Sequence, residues 1–338
     1  MEKNTSGLVV YSFPGEENFY KLSGNIVEVS DYKADHSEGF IFAPFDNKDL
    51  PIIKILGKAE VVTEGMNLLS NSDLFTLKDF PEETEYDSYV TTIKEVVKKI
   101  RTGYIDKLVF SISEVEAHSL DDFEELLKKL RFHYPNAFVY YFYSSWTGLW
   151  IGASPELLLH SDGEKMETVA LAGTLKNASK WENWGAKEIA EHRFVERFIE
   201  TQLSPGIYVK KGPLPVKAGP VYHLSSHYRW SIDQFNGSPF DIHPGPALSG
   251  YPVNESIQLI KQMERRPRKY YSGFLGPVNG SNVFQFFINL RCMEVYQNKS
   301  VLYAGGGITE DSDPAKEWAE LQYKFSTLRS KMLKAEEV

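Results

Sequence analysis

Two pairs of glutamates in the second half of the sequence have the spacing of a helical metal site. Glu188 and Glu191 lie in "AKEIAEHRFVERFI", and Glu317 and Glu320 lie in "PAKEWAELQYK". Residues three apart share one face of a helix, so each pair projects two carboxylates together. A single pair is more typical of a solvated helix surface, whereas carboxylates that converge from two helices require a hard divalent ion such as Mg²⁺ between them. Both interpretations stay open at this point.

A lysine stands directly before the apolar residues of the strand-like stretch "IDKLVFSI". At a strand edge, Lys107 would run its methylene groups along apolar surface and keep its ammonium group in water. The alternative is a lysine held in a pocket as a proton acceptor, which requires a pKa several units below the ordinary value of about 10.4. The stretch alone favours the strand-edge interpretation.

Other polar residues and two glycine stretches are further candidates. Arg291 in "INLRCMEV" needs a carboxylate or a hydrogen-bond cage if it is buried, and a structural ion pair would satisfy it. His223 in "VYHLSS" is compatible with an ordinary core histidine, and the basic stretch "MERRPRKYY" is expected at the surface. The stretches "ALAGT" and "YAGGGIT" allow backbone N–H groups to approach an anionic oxygen, but they lack the phosphate-loop and dinucleotide fingerprints. A hydrolase is not indicated, because G-x-S-x-G is absent.

The composition limits the classes of partner. The chain has 338 residues, 42% of them hydrophobic, which is enough to build a large core. A net charge of −9 argues against nucleic acid and anionic membranes, because both require a basic surface. The single cysteine, Cys292, cannot form an intramolecular disulfide, and neither a basic leader nor a run of 18 apolar residues occurs. We therefore expect a cytoplasmic protein that binds neither nucleic acid nor membrane.

The elements that would position these residues predict an α+β fold. Short β-rich runs occupy residues 1 to about 80. A helix follows, because apolar side chains recur every three or four residues at Tyr89, Ile93, Val96, Val97 and Ile100. Further strands are predicted at 105–112, 137–144, 148–160, 166–174, 282–297 and 300–309, with two more after residue 206, and helices at about 184–203, 253–264 and 314–334. Short connections favour antiparallel strands, and the helices come in separated blocks. The Pro/Gly-rich segment 241–252 is typical of a rigid loop.

Nine short motifs occur in an order that resembles the chorismate-utilising enzymes, the family of isochorismate, salicylate, anthranilate and aminodeoxychorismate synthases. Between about Glu85 and Leu333 they are "KLVFSI", "GASPELLL", "ALAGT", "EHRFV", "HLSS", "HPGPALSGYP", "FFINLRC", "LYAGGGI" and "SDPAKEWAELQYK". The resemblance implies one fold of two large, mainly antiparallel sheets packed together with helices outside. Residues 1–83 would be an N-terminal β-rich part of this fold, and residues 84–338 would form the chorismate-binding catalytic region.

Within that family, the resemblance implies that water is the nucleophile. Anthranilate synthases, which use ammonia, carry glutamine where this chain has Lys107, and aminodeoxychorismate synthases typically place a lysine where it has Ala172. "HPGPALSG" is similar to the H-P-T-P-A-[LV]-x-G loop of isochorismate synthases, although Gly245 replaces the usual threonine.

The implied activity is the Mg²⁺-dependent conversion of chorismate to isochorismate, by addition of water at C2 and loss of the C4 hydroxyl group. The product would feed menaquinone or siderophore biosynthesis, and the chain would be a monomer without a glutamine amidotransferase subunit. Two alternatives remain: a salicylate synthase, which would go on to eliminate pyruvate, and a non-catalytic chorismate-binding protein.

The motif positions imply a role for each candidate residue. Lys107 would be the general base and Glu156 the general acid, with both pKa values shifted by one apolar, water-restricted pocket. Glu191 and Glu320 would bind Mg²⁺ directly, and Glu188 and Glu317 would bind it through water. The residues implied to contact the substrate are Gly173, Thr174, His223, Ala247, Leu248, Arg291, Gly305, Gly307 and Lys324.

Overall fold

The structure is a computed structural model that describes residues 6–30, 37–76, 84–118, 122–175, 178–203, 206–218, 221–234, 239–280 and 282–332. The described α-helices are α1 (Tyr86–Arg101), α2 (Phe123–His133), α3 (Ala186–Gln202), α4 (Val253–Met263) and α5 (Pro314–Met332). The described strands are β1 (Ser6–Ser12), β2 (Tyr20–Glu28), β3 (Gly39–Ala43), β4 (Ile53–Leu56), β5 (Glu60–Val61), β6 (Lys107–Ala117), β7 (Phe138–Ser144), β8 (Gly148–Ser154), β9 (Leu157–Asp162), β10 (Lys165–Leu175), β11 (Tyr208–Ala218), β12 (Val221–Ser231), β13 (Gly250–Tyr251), β14 (Phe274–Asn279), β15 (Val283–Ile288), β16 (Cys292–Tyr296) and β17 (Lys299–Ile308).

These strands form two antiparallel sheets that share β2. The order in the first sheet is β5-β2-β1-β7-β8-β16-β17-β6-β13. The order in the second sheet is β2-β4-β3-β14-β15-β9-β10-β12-β11. The first six residues of β2 pair with β1 and its last three residues pair with β4, so one strand passes from one sheet into the other. The predicted α+β class with two large antiparallel sheets is confirmed.

Aromatic side chains fill the space between the two sheets. The ring centroids of Phe42 on β3 and Phe142 on β7 are 4.4 Å apart, and Phe138 on β7 stacks on Phe287 on β15 at 4.3 Å. All four rings are buried. Helices α1, α2 and α5 pack on the outer face of the first sheet, and α3 packs on β10 and β12 of the second. Because stacked rings bury much apolar area in a fixed geometry, they set the spacing of the sheets.

Helix α1 confirms the predicted spacing of buried side chains at every third or fourth residue. Its buried residues are Tyr89, Ile93, Val96, Val97 and Ile100, the same set that the sequence pattern placed on one face. This face packs against α5 and β17. The spacing of apolar residues in the sequence was therefore sufficient to predict this helix.

Two predictions of a single continuous strand are wrong. The stretch 148–160 is β8, which pairs in the first sheet, followed after Pro155 by β9, which pairs in the second. The stretch 282–297 is likewise β15 in the second sheet and β16 in the first, and Arg291 lies in the connection with a φ of 48°. Both faces of each strand are largely buried, so the apolar pattern does not report where the chain changes sheets.

The N-terminal strands are hydrogen-bonded to the later ones. Strand β1 pairs with β7 in the first sheet, and β3 pairs with β14 in the second. The predicted division between residues 83 and 84 borders the segment 77–83, which is outside the described residues, and it stays a prediction. Among the described residues, no helix combines the length and the apolar character needed to cross a membrane.

Candidate active site

Strand β6 begins at Lys107 and pairs with the glycine-rich end of β17. The register places Val109 opposite Gly307. A Cβ atom on Gly307 would lie 3.0 Å from Cε of Lys107, so the glycine leaves room for the lysine side chain. Lys107 is only 5% exposed, and its Nζ lies 4.0 Å from Oε2 of Glu191 on α3. This burial excludes the strand-edge alternative, in which the ammonium group stays in water.

Glu156 lies between β8 and β9, where the chain passes from the first sheet to the second. Its backbone carbonyl oxygen accepts a hydrogen bond from the N–H group of Ile288 at 2.9 Å. Burial raises the pKa of the Glu156 carboxyl group to about 7, and the positive charge of Lys107 partly offsets this effect. A carboxyl group with such a pKa holds a proton in about half of the molecules at neutral pH, as a general acid requires.

A glycine bulge in β10 brings helix α3 to the site. Gly173 has a φ of 73°, and the pairing with β12 shifts register just before Thr174. A Cβ atom on Gly173 would lie 3.2 Å from the carbonyl oxygen of Glu188, so a side chain here would push α3 away. The carbonyl oxygen of Gly173 is 2.9 Å from Nδ1 of His223, and burial lowers the pKa of this histidine. The side chain of Thr174 lies outside the described part of the structure.

Cations from α5 and from the β15–β16 connection meet around Glu320. Lys324 Nζ forms an ion pair with Glu320 Oε1 at 2.7 Å and donates to the carbonyl oxygen of Gly305 at 2.7 Å. Burial lowers the pKa of Arg291, and Glu320 is among the groups that oppose this shift. The pKa of His223, which burial lowers, is also affected by the charges of Lys324, Glu320 and Arg291. These four side chains therefore form one electrostatically coupled group.

Several residues that surround Arg291 were not identified from the sequence pattern. Thr327 Oγ1 accepts a hydrogen bond from Arg291 Nη1 at 2.8 Å, and Tyr134 donates to the Thr327 carbonyl oxygen at 2.9 Å. Tyr271 places its hydroxyl oxygen 2.9 Å from the position that a Cβ atom on Gly305 would take. Tyr271 belongs to the basic stretch 263–271, whose expected surface location is wrong for this residue because its ring is buried. Tyr271 ends a basic stretch that follows a helix, and such stretches are normally solvated, so the sequence pattern did not indicate a buried ring.

The rigid loop packs beside the strand that carries Lys107. Strand β13, at the end of this loop, pairs with the first two residues of β6. Leu248 is buried and Ala247 is half-buried next to it. A Cβ atom on Gly245 would lie 3.3 Å from the ring of Phe198 on α3. The phenylalanine would therefore be in tight contact with a side chain at this position, and one of the two would have to shift to admit the threonine of the family pattern.

One member of each glutamate pair, Glu188 in α3 and Glu317 in α5, lies in the first turn of its helix, where the positive end of the helix stabilises a carboxylate. Glu317 Oε2 lies 3.8 Å from the position of a Cβ atom on Gly306. In the described part of the chain, no three Asp, Glu, His or Cys side chains lie close enough together to hold a metal ion. Glu191 and Glu320 instead face Lys107 and Lys324.

The donor set nevertheless suits Mg²⁺ chemically. Mg²⁺ prefers oxygen ligands, and it usually takes one or two carboxylates together with water and substrate oxygens. Both glutamate pairs border the site, one through the contact of Glu191 with Lys107 and the other through the contact of Glu317 with β17. The metal site stays a prediction.

Comparison with known proteins agrees with the geometry. The family model described as "Chorismate binding enzyme" matches residues 55–333. Isochorismate synthase EntC of Escherichia coli (strain K12) is 27% identical over 264 residues, which cover 73% of this chain and 67% of that protein.

Two solved structures share the fold. The menaquinone-specific isochorismate synthase MenF from Escherichia coli has a TM-score of 0.76 at 19% identity and covers 98% of this chain and 90% of its own. Anthranilate synthase component I from Streptococcus pneumoniae TIGR4 has a TM-score of 0.72 at 16% identity and covers 95% of this chain and 89% of its own. At these identities the likeness shows the fold alone, so the nucleophile has to be argued from individual residues.

Proposed function

The chain belongs to the chorismate binding enzyme family, and on that premise we propose that it is a Mg²⁺-dependent isochorismate synthase. The observation that carries the proposal is the buried Lys107, whose Nζ lies 4.0 Å from Glu191 Oε2 and whose charge acts on the pKa of Glu156. Ala172 is buried and adds no charge where aminodeoxychorismate synthases typically carry a lysine. The similarity to the isochorismate synthase EntC supports the same reaction.

In this proposal, Lys107 in its neutral form takes a proton from the water molecule that attacks C2 of the chorismate ring. Glu156, whose pKa burial raises, donates a proton to the C4 hydroxyl group, which leaves as water while the ring double bonds shift. One water molecule adds and one leaves, so the reaction is an isomerisation with no oxidation or reduction. Lys107 and Glu156 return to their starting protonation states by exchange with solvent.

The proposed substrate contacts follow the charges of the site. Arg291 and Lys324 would hold the enolpyruvyl carboxylate, since a guanidinium group pairs well with a carboxylate. Backbone N–H groups near Gly305 and Gly307 would support the same carboxylate. Gly173 and Thr174 would line the ring, His223 would lie near the C4 hydroxyl group, and Ala247 and Leu248 would face the attacking water.

We propose that Mg²⁺ is held directly by Glu191 and Glu320 and through water by Glu188 and Glu317. When bound, the ion would neutralise and orient the ring carboxylate of chorismate. Glu191 and Glu320 also contact Lys107 and Lys324, so the same glutamates orient the cations that would act on the substrate.

We propose further that the chain acts as a cytoplasmic monomer and that its product feeds menaquinone or siderophore synthesis. Because water is the nucleophile, no glutamine amidotransferase subunit is needed to supply ammonia. Size-exclusion chromatography of the purified chain tests the monomer, and activity without any added subunit tests the independence from a partner.

Separation of the products formed from chorismate tests the proposed reaction. We expect the purified protein to accumulate isochorismate when MgCl₂ is present and to be inactive after chelation with EDTA, and activity should return when MgCl₂ is added in excess. Salicylate and pyruvate formed without a partner enzyme would establish the salicylate synthase alternative. Chorismate binding without turnover would establish the non-catalytic alternative.

A further inference from the structure

Side chains replace a neighbouring strand along one edge of β6. Strand β17 pairs with β6 along almost its whole length, whereas β13 pairs only with its first two residues on the opposite edge. The N–H group of Val109 then donates to the carbonyl oxygen of Ser249 at 2.9 Å, and the backbone groups that follow on that edge meet an ion pair. Arg268 Nη2 donates to the carbonyl oxygen of Val109 at 2.7 Å, and Glu264 Oε1 accepts from the N–H group of Ser111 at 2.8 Å. The ion pair therefore satisfies backbone groups that another strand would otherwise satisfy.

Arg268 and Glu264 are held in a fixed, dehydrated geometry. Arg268 Nε lies 2.9 Å from Glu264 Oε2, and Arg268 Nη2 lies 2.5 Å from Glu264 Oε1. The two side chains are 2% and 3% exposed. The guanidinium group lies 4.4 Å from the centroid of the Phe45 ring. Removal of either partner would leave a buried charge uncompensated, so the pair resists displacement.

The same guanidinium group also holds the rigid loop. Arg268 Nη1 donates to the carbonyl oxygen of Leu248 at 2.7 Å. One planar group thus bonds both to β6, two residues after Lys107, and to the loop residue next to Ala247. The rigid arrangement of guanidinium N–H groups fixes the two carbonyl oxygens relative to each other, which the flexible ammonium group of a lysine cannot do.

We infer that Arg268 is a positioning residue that sets the location of Lys107 relative to the loop formed by Ala247 and Leu248. The inference rests on the proposed isochorismate synthase function, in which the water attacks between these two elements. Arg268 acts through the backbone of its neighbours, so its loss should misplace the base without removing a group that binds the substrate. A misplacement of about 1 Å lowers turnover on the order of 100-fold.

The test compares Arg268→Lys with Arg266→Lys. Arg266 lies on the same turn and pairs with the buried Glu294 at 3.1 Å, so it controls for the loss of a largely buried guanidinium group. For the wild type and both variants, kcat and KM for chorismate are measured together with circular dichroism and thermal unfolding. We expect Arg268→Lys to lower kcat about 100-fold with KM within about threefold, and Arg266→Lys to keep kcat. A folded Arg268→Lys variant with the kcat of Arg266→Lys would overturn the inference.

A second variant covers the case in which Arg268→Lys does not fold. Glu264→Gln keeps an oxygen for the N–H group of Ser111 but loses the charge that fixes Arg268. A lowered kcat with an unchanged KM supports the inference, and an unchanged kcat overturns it. If neither variant folds, the pair is a stability element and the positioning role is refuted. An inactive wild type refutes the proposed function, whereas an active wild type with unaffected variants refutes only the positioning role.

Discussion

Strand β17 runs from an aromatic region between the sheets to a glycine region beside Lys107, and the two regions differ in what fills the space next to the backbone. The aromatic region is the cluster of buried rings that includes the stacked pair Phe138 and Phe287. On β17 it includes the ring of Tyr303, which stacks on Trp150 and on Tyr271 with centroid distances of 5.6 Å and 5.3 Å. In the glycine region, residues 305–307 carry no side chains, and Lys107 and side chains from α5 occupy the adjacent space.

The difference separates the control of stability from the control of activity. Close-packed rings hold the sheets at a fixed spacing, because interiors at this density do not deform easily. The glycine region leaves volume that other elements fill with charged groups, and those groups are available for chemistry. Substitutions in the aromatic region should therefore change the free energy of unfolding, and substitutions in the glycine region should change turnover.

The largest effect is expected from Lys107→Met, which removes the amine and nearly preserves the side-chain length. Loss of the general base should lower kcat by roughly 10³-fold while the KM for chorismate changes little. Lys54→Met is a matched control, because Lys54 is also buried, on β4, and donates to the Ser37 carbonyl oxygen at 2.7 Å. A Lys107→Met variant that retains the kcat of Lys54→Met would contradict the claim that the glycine region controls activity.

Glu156 should give the next largest effect, through pH. Because the acid must be protonated, kcat should fall as pH rises through about 7, and Glu156→Gln should lose this limb and lower kcat by roughly 10²-fold. The folded-state pKa lies above the value of 4.5 expected in the unfolded chain, so the folded protein binds the extra proton. The free energy of unfolding should therefore decrease as pH rises between about 4.5 and about 7, more steeply in the wild type than in Glu156→Gln. Identical pH profiles for both proteins would refute the assignment.

Two adjacent glycines sharpen the comparison within the glycine region. In Gly307→Ala the new methyl group would lie 3.0 Å from Cε of Lys107, so the lysine must move and kcat should fall about tenfold. In Gly306→Ala the nearest atoms are 3.7 Å and 3.8 Å away on Leu321 and Glu317, which is ordinary contact, so kcat should hold within about twofold. Steady-state kinetics measure kcat for both variants. Equal losses of kcat would show that the space beside Lys107 does not control turnover.

The smallest effect on turnover is expected in the aromatic region. Phe138→Leu should lower the free energy of unfolding by about 1–3 kcal/mol, because the stack on Phe287 is lost, and should leave kcat unchanged. Phe132→Leu is the control, since this ring is 81% exposed on α2. Urea denaturation and kinetics measure the two quantities. A large loss of kcat in Phe138→Leu, with stability unchanged, would reverse the roles given to the two regions.

Much of the fold was predictable where one face of an element is apolar and the other polar, as in α1. The sheet changes at Glu156 and Arg291 were not predictable, because strands buried on both faces carry no alternation that marks a crossing. In the site, the motif residues around Lys107 and Glu320 lie together in the structure. Arg268 was missed because a basic stretch after a helix is normally solvated, and the sequence pattern does not show the ion pair with Glu264 and the two carbonyl acceptors that accompany its burial.

The most direct test of the central claim is the reaction of chorismate in water enriched in oxygen-18, followed by mass spectrometry of the product. If Lys107 activates water for attack at C2, isochorismate should carry one labelled oxygen, located in the C2 hydroxyl group, and Lys107→Met should yield almost none of this product. Unlabelled isochorismate, or an aminated product formed when ammonium is added, would contradict the account.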